Sequence, residues 1–509
     1  MDVDEDAASK PAETETLSPQ PPQPPQPPPS QPPSTLPHEV TLVAAAELHE
    51  RQRWQPTALH PGPAFKTVEW SADGTAVIVS TASKSILTYV LPANLLARDD
   101  DEDEDEDADS DRAQGTLHRM LACHGRLRFG IAPTSLAPAP YFSLASPWSQ
   151  TVLVGFRDRP IQLFPLFPPE GQASDDDDDD DDDDVGGGRS ILAPTKTPQP
   201  LASYSLIKHE TEAYLPPMSL LWPAPGTHFV VGTKSLLALF DSSRTSNDPP
   251  ILRVPTVTHT GGGFALGLKG MVSALAAAGD TQGGASAHQH QHQHLTAAGT
   301  WTRGVGLYDL TRSGGVCAAH WKVSDVSGDA TAAAAASSVA RGDGVVQLVW
   351  SPCGRYLVVN ERKSQGLLVY DVRGAGKLLC TLAGRSARST QPVRCSVYDG
   401  GGSQGGFELW SGTDSGGIVV YEGVGQREGV IEPSWQWQGH GRTVVGGTAM
   451  HTSGSVVATC SSSLPIVDRD DQEDDDGASE SESDGEYDAD ASDGDSGSGS
   501  LTSSSSSSN

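Results

Sequence analysis

The chain has 509 residues and a formal net charge of −32, from 66 acidic and 34 basic side chains. Residues 1–36, 99–111, 175–184 and 468–495 together hold 42 of the acidic residues but only two of the basic ones. The rest of the chain carries 24 acidic and 32 basic residues, which makes it mildly basic and excludes a protein with an acidic surface throughout.

Several broad classes of protein are excluded as well. No stretch approaches the ~20 apolar residues that a membrane span needs, and the acidic start of the chain is unlike a secretory signal. The six cysteines show no CxxC spacing, so neither a disulfide framework nor a zinc ribbon is indicated, and we expect a reducing compartment, cytosolic or nuclear. The chain also lacks a glycine-rich phosphate-binding loop. We therefore expect no cofactor and no membrane partner.

Composition divides the chain into a folded region and two tails. Residues 1–38 are rich in proline and glutamine and residues 468–509 in acidic residues and serine, so both offer little apolar surface to bury and are predicted to be disordered. The folded region is predicted to span 39–467. It contains two acidic inserts, 99–111 and 175–184, and a biased insert at 280–294 that ends in alternating histidines.

A repeated unit runs through the folded region. In each of its clearest copies an apolar strand ends in Trp, a turn with glycine follows, and a second β-rich run ends in an aromatic residue. The Trp-to-aromatic pairs are Trp70 and Tyr89, Trp222 and Phe240, and Trp350 and Tyr370. Three further units share the closing half, around Phe164, Tyr308 and Tyr421, and a weaker unit begins at Gly439-His440. This punctuation is typical of WD repeats.

The repeat predicts an all-β protein, a seven-bladed WD-repeat β-propeller, because a single four-stranded blade cannot bury both of its faces. Val40–Val43 is the expected outer strand that closes the ring against the last blade. We expect a monomer. An open solenoid or two sandwiches is the alternative architecture. Trp70, Trp222 and Trp350 are predicted to be buried between blades, where large aromatic side chains stabilise the stack.

Two polar motifs have a structural and a chemical interpretation. Gly412-Thr413-Asp414-Ser415-Gly416 resembles the nucleophile turn of a serine protease, but a nucleophile needs a histidine base and an orienting carboxylate. We favour a turn between two blade strands, in which Asp414, and likewise Asp158, caps the loop by accepting hydrogen bonds from backbone N–H groups. No catalytic constellation is evident, and we expect no enzyme activity.

The inserts also allow more than one interpretation. His288, His290, His292 and His294 resemble a metal-binding tract, but their flexible context favours low complexity, and we predict no metal site. The acidic runs are interpreted as solubilising inserts. Alternatively, they mask a basic surface by mimicking nucleic acid, or they bind basic tails of partner proteins.

Strand order predicts a two-faced charge distribution. In a blade with strands a to d, the b–c and d–a turns share one face, and the three inserts emerge on the other as c–d or a–b connections. Basic residues and one tryptophan are expected on the b–c and d–a face, where phosphates and stacked bases would bind. The candidate RNA-binding residues are Lys84, Arg126, Arg128, Arg157, Arg159, Lys234, Trp301, Arg303, Arg362, Lys363, Arg385 and Arg388.

Several stretches are more specific than WD punctuation. Residues 154–164, Val-Gly-Phe-Arg-Asp-Arg-Pro-Ile-Gln-Leu-Phe, resemble the S-R-D-x-P-I-x-L-W segment of the telomerase Cajal body protein family. Segments 202–241, 298–308 and 412–416 are similar to later parts of the same family, in the same order. Phe164-Pro165 stands where that family has Trp-Asp. The resemblance covers roughly residues 65–462.

The resemblance implies a non-enzymatic nuclear scaffold. That family binds small nuclear, Cajal-body and telomerase RNAs and helps their particles to assemble or localise. The expected partners are therefore small nuclear or Cajal-body RNA and ribonucleoprotein proteins. The alternative is a protein-only WD-repeat adaptor in a chromatin or ubiquitin-ligase complex. A propeller hydrolase is a third interpretation, which would require a Ser/His/Asp cluster in one funnel.

Overall fold

The computed structural model describes residues 40–46, 64–96, 119–167, 198–245, 248–259, 265–279, 294–323, 341–374, 376–400 and 406–465. Within these residues the secondary structure is almost entirely β, with two 3-10 turns at Pro147–Ser149 and Val372–Gly374. No helix in this part of the chain has the length and apolar character of a membrane span. The predicted tails and the cores of the three predicted inserts lie outside the described residues.

In the described residues six antiparallel blades follow one another, and we name the strands of each a to d in chain order. The first strand, β1 (Ala44–Ala45), pairs in parallel with β5 (Arg119–Met120), which lies between strands c and d of blade 1. Blade 1 comprises β2 (Phe65–Trp70), β3 (Ala76–Thr81), β4 (Ser85–Val90) and β6 (Gly125–Arg128). Blade 2 comprises β7 (Ser135–Pro138), β8 (Thr151–Gly155), β9 (Ile161–Pro165) and β10 (Ala202–Tyr204).

The next two blades are separated by a small hairpin. Blade 3 comprises β11 (Ser219–Leu221), β12 (His228–Thr233), β13 (Leu236–Asp241) and β14 (Leu252–Pro255). The hairpin is formed by β15 (Val257–His259) and β16 (Ala265–Gly267). Blade 4 comprises β17 (Val272–Ala277), β18 (Leu295–Thr300), β19 (Gly304–Asp309) and β20 (Val316–Lys322).

A strand that crosses from one to the other connects blades 5 and 6. Blade 5 comprises β21 (Val345–Trp350), β22 (Tyr356–Glu361), β23 (Leu367–Asp371) and β24 (Lys377–Leu382). Blade 6 comprises β25 (Cys395–Tyr398), β26 (Phe407–Gly412), β27 (Gly417–Val424) and β29 (Trp435–Gln438). Between β27 and β29 the chain crosses to blade 5, where β28 (Gly429–Ile431) pairs in parallel with β24.

The all-β propeller is confirmed, but the predicted count of seven blades is wrong. Among the residues that the structure describes, the seventh unit is a two-stranded sheet of β30 (Thr443–Met450) and β31 (Val457–Pro465), which packs between blade 6 and blade 1. Val40–Val43, the predicted closing strand, is not a strand in the structure. The adjacent Ala44–Ala45 instead pairs with Arg119–Met120, and Ala46 packs on the apolar face of blade 1. The N-terminal strand therefore pairs with the insertion between strands c and d of blade 1. It does not add a strand to the seventh sheet, which has two described strands.

Apolar faces of neighbouring blades form the core. The three tryptophans that mark the repeat are buried as predicted: Trp70 is 6%, Trp222 4% and Trp350 1% exposed. Two of their indole N–H groups donate across a blade boundary, from Trp70 to the Ala449 oxygen at 2.8 Å and from Trp350 to the Ala276 oxygen at 3.2 Å. Trp222 instead donates within its own turn, to the Gly226 oxygen.

Polar side chains on the inner strands join successive blades around the central channel. Ser219 donates to the Val272 oxygen at 2.8 Å, and Ser273 donates to the Val345 oxygen at 2.6 Å. Gln347 continues the series with a bond to the Cys395 oxygen at 2.8 Å. These bonds satisfy backbone carbonyls that no strand partner reaches, which fixes the position of each blade relative to the next.

Candidate RNA-binding face

The b–c turns of the blades lie together on one face of the propeller, because strands alternate in direction within every blade. Four of these turns contain a non-glycine residue with a positive φ: Lys84 (64°), Ser235 (58°), Arg303 (65°) and Lys363 (56°). The corresponding residue of blade 6 is Gly416, with a φ of 90°. Glycine is the residue that this conformation favours. Three blades therefore hold a basic side chain at a strained position.

A threonine closes several of these turns. Thr81, Thr300 and Thr413 each accept a hydrogen bond from the backbone N–H four residues further on. In blade 5 the equivalent position, at the end of strand b, is Glu361. Its carboxylate is only 1% exposed and accepts the backbone N–H of Gly342 at 3.2 Å.

Arg303 of blade 4 neutralises this buried carboxylate. Its Nε lies 2.7 Å from Glu361 Oε1 and its Nη2 lies 2.9 Å from Oε2, which is a bidentate pair. The hydrogen bond to Glu361 raises the pKa of the Arg303 guanidinium above its usual value. Arg303 is therefore a bridge between blades 4 and 5, and its charge is already compensated within the protein.

Trp301 and Arg362 form an aromatic platform beside that bridge. The Arg362 guanidinium carbon lies 5.3 Å from the centre of the Trp301 ring, and Trp301 is 37% exposed. Arg362 Nε also donates to the Thr390 oxygen at 3.2 Å, which holds the guanidinium in place. The neighbouring Lys363 pairs with Asp343 at 3.1 Å, an exposed pair that contributes little to stability.

Most of the other predicted basic residues are exposed on this face. Lys84, Arg157, Arg159, Lys234 and Arg388 are exposed in b–c turns or in the d–a connection after blade 5. Lys84 Nζ reaches the Gly130 oxygen at 3.3 Å. Two further exposed bases, Lys269 and Arg341, lie in d–a connections and were missed in the sequence. Their position in the sequence, shortly before an inner strand, is the feature that could have identified both residues.

Three of the predicted basic residues lie elsewhere. Arg385 is 1% exposed, and its guanidinium donates to the Asn360 amide oxygen and the Val393 carbonyl, both at 2.9 Å. Burial lowers its pKa. Arg385 is thus a structural residue between blades 5 and 6, not a surface base. Arg126 and Arg128 are exposed, but on strand β6 at the rim of blade 1 and not in a turn.

The two aspartates predicted to cap loops differ. Asp414 accepts the backbone N–H of Arg388 at 2.9 Å, so it ties the d–a connection to the b–c turn of blade 6. Asp158 is exposed in the b–c turn of blade 2, and its capping role stays a prediction. Ser415, the residue of the protease-like motif, shares a hydrogen bond with Thr413 at 3.1 Å. The turn is held by its own hydroxyls.

The central channel opens between the inner strands and has a volume of about 430 Å³. Its charged pair is Arg394 and Glu69, whose Nη1 and Oε1 atoms lie 3.2 Å apart. Burial raises the pKa of the Glu69 carboxyl, and Arg394 opposes that shift. Burial and the Arg394 charge both lower the pKa of Lys66, which lies at the start of the same strand as Glu69.

The described residues bring together no group of three His, Cys, Asp or Glu side chains that could hold a metal ion. Of the predicted histidine tract only His294 is described. Its Nε2 lies 3.8 Å from Asp309 Oδ2. His288, His290 and His292 lie outside the described residues.

No protein-family model matches the chain, and no curated protein matches it. Among solved structures it is similar to Chaetomium thermophilum Sqt1, in a crystal structure bound to the N-terminus of the ribosomal protein L10. The identity is 16% and the TM-score 0.46, over 78% of this chain and 81% of that chain. The strand pairing and the repeated units show a propeller of the WD-repeat type. Membership of the telomerase Cajal body protein family stays a prediction from the motifs.

Proposed function

We propose that this protein is a non-enzymatic, nuclear WD-repeat scaffold that binds RNA on its b–c and d–a face. The observation that supports this proposal is the convergence of exposed basic side chains from several blades on one face. Phosphate groups supply most of the affinity in such interfaces, and lysine and arginine neutralise them. The Trp301–Arg362 platform adds a planar surface on which an unpaired base stacks.

The RNA class follows from the motif resemblance. Residues 154–164 are similar to a segment of proteins that bind small nuclear, Cajal-body and telomerase RNAs. We propose that this protein binds RNA of the same class, together with proteins of the same particles, as a monomeric propeller. Crosslinking in cells, followed by sequencing of the bound RNA, tests this proposal. Enrichment of small nuclear or Cajal-body RNAs supports it, and recovery of protein partners without RNA contradicts it.

A protein-only adaptor is the second candidate function. The observation that favours it is a tryptophan on the opposite face of the propeller, Trp148, which is 75% exposed. Exposed tryptophans are common anchors of protein interfaces. A protein-only adaptor predicts that RNase treatment leaves every partner bound, whereas an RNA-binding scaffold loses partners that are held through RNA.

A further inference from the structure

Two basic side chains, Lys66 and Arg394, lie where the central channel opens on the b–c and d–a face. Lys66 is the second residue of strand a in blade 1, and Arg394 directly precedes strand a in blade 6. Every strand a begins on the b–c and d–a face, because a d–a connection leads into it. Both residues therefore lie at that end of the channel, which we call the channel mouth.

A glycine of the seventh sheet brings the two residues close together. The Arg394 backbone N–H donates to the Gly446 oxygen at 3.0 Å. A Cβ at Gly446 would lie 2.7 Å from the Lys66 carbonyl oxygen, so the close approach of the two strands requires glycine there. Burial and the nearby Arg394 charge lower the pKa of the Lys66 amine. The two positive charges therefore repel each other at the channel mouth.

Glu69 balances one of these two charges. Its Oε1 accepts a hydrogen bond from Arg394 Nη1 at 3.2 Å. A guanidinium has several N–H donors, and the Arg394 Nε–H has no acceptor among the described residues. Lys66 is exposed and forms no ion pair within the described part of the chain. One positive charge and several N–H donors therefore stay unmatched at the channel mouth.

The channel behind the mouth offers space and a fixed wall to a ligand. Its volume is about 430 Å³, and the Arg394 side chain that lines it is 39% exposed. Ser396 lines the channel too, and its hydroxyl has no partner among the described residues. Gln347 accepts the backbone N–H of Cys395 at 2.9 Å and donates to its oxygen at 2.8 Å, which holds the strand that follows Arg394. A site on a fixed strand loses little entropy when a ligand binds.

We propose that the channel mouth binds one phosphate group between the Lys66 amine and the Arg394 guanidinium. The unmatched positive charge selects an anion, and a phosphate has enough acceptor oxygens to accept hydrogen bonds from both cations at once. The inference rests on the proposed function for the source of this group, an RNA chain. A terminal phosphate, an internal phosphodiester and free phosphate share the chemistry, and the experiment separates them. The site adds a phosphate contact at the centre of the face, inside the ring of b–c turns.

Calorimetric titration of the full-length protein with inorganic phosphate, at constant ionic strength, tests this proposal. The wild type is compared with Lys66→Met, which removes the charge, and with Lys66→Arg, which keeps it. Lys269→Met is the matched control, because Lys269 is an exposed lysine of the same face in the d–a connection before blade 4. The affinity of each protein for one short RNA, with and without a 5′-phosphate, is then measured over a range of salt concentrations.

The wild type is expected to bind inorganic phosphate more tightly than Lys66→Met does, by about tenfold. Lys66→Arg and Lys269→Met should bind it like the wild type. Lys66→Met should also flatten the salt dependence of RNA affinity by about 0.7 in slope, the share of one phosphate. A terminal phosphate is the group bound if its removal weakens RNA binding by the wild type but not by Lys66→Met. A flatter slope without that effect assigns the site to an internal phosphodiester.

The two proposals fail separately in this experiment. Equal phosphate affinity of the wild type and Lys66→Met, or no measurable binding by either, overturns the phosphate site even where RNA binds. Phosphate binding that depends on Lys66 in a protein without RNA affinity supports the site, with free phosphate as its ligand, and contradicts the proposed function.

Discussion

Arg303 and Glu361 form a bidentate ion pair that joins blade 4 to blade 5 at the face where the b–c turns meet. The carboxylate is buried, and three other blades close the same turn with a threonine that accepts a backbone N–H, namely Thr81, Thr300 and Thr413. The pair is therefore a local substitute for the threonine that closes the turn elsewhere.

Removing one partner of this pair is expected to destabilise the protein strongly. Arg303→Ala leaves the buried Glu361 charge uncompensated and should lower the free energy of unfolding by about 3–5 kcal/mol. Arg303→Ala combined with Glu361→Thr should recover most of that loss, because threonine closes the turn without a charge. Urea denaturation of the single and double variants measures both values. Equal stability of the two variants would show that the carboxylate is not the source of the cost.

Variants of the strained turn residues allow effects on stability to be distinguished from effects on RNA binding. Lys84→Gly and Ser235→Gly each remove a side chain from a left-handed position and should raise the free energy of unfolding by about 0.5–1 kcal/mol. Only Lys84→Gly should also weaken RNA binding, because Ser235 carries no charge. Lys84→Ala is the control that removes the charge but keeps the strain. Thermal unfolding and RNA titration of the three variants give the two readouts, and weaker RNA binding by Ser235→Gly would contradict the assignment.

Replacement of a tryptophan that marks the repeat should affect stability much more than replacement of the exposed Trp148. Trp350→Ala empties a site that is 1% exposed and should cost about 3–5 kcal/mol. Trp148→Ala removes a side chain that is 75% exposed and should change stability by less than about 0.5 kcal/mol. Chemical denaturation of both variants measures the difference. Similar losses in the two would mean that the strand register of blade 5 is wrong.

His440 makes stability depend on pH. Burial lowers the pKa of its imidazole below 6.5, and its Nε2 lies 2.8 Å from Thr459 Oγ1. As the pH falls below 6.5, the unfolded imidazole binds a proton before the folded one does, so this group contributes less stability in acid. His440→Gln should reduce the fall in the free energy of unfolding between neutral pH and the lowered pKa. An identical pH profile for both proteins would contradict the assignment.

The sequence predicts those parts of the fold that depend on neighbouring residues. The alternation that buries Trp70 and the b–c turn at Lys84 are both local patterns, and both are found in the structure. The ring closure is not local. Val40–Val43 has the composition of a strand, but its neighbour Ala44–Ala45 pairs with Arg119–Met120, which lies in an insertion between strands c and d. Only the three-dimensional arrangement selects that partner.

The candidate site is predictable to the same extent. Strand order places Arg157, Lys234 and Lys363 on one face, as the structure does. The environment of a single arginine side chain cannot be predicted in this way. Arg385 follows strand d like a surface residue, yet Asn360 and the Val393 carbonyl accept its N–H groups. One acceptor is a side chain of strand β22 and the other is a carbonyl eight residues further along the same connection, and no pattern in the sequence reveals that both point at Arg385.

The salt dependence of RNA affinity tests the central claim, that RNA phosphates bind on the b–c and d–a face. Arg157, Arg159 and Lys363 are replaced together by alanine, and affinity for a small nuclear RNA is measured over a range of salt concentrations. The control replaces Arg312 and Arg355, exposed bases on the opposite face, in the same way. The account predicts a slope that is flatter by about 0.7–0.9 for each phosphate that the first variant no longer neutralises, and an unchanged slope in the control. An equal slope for the first variant and the wild type would contradict it.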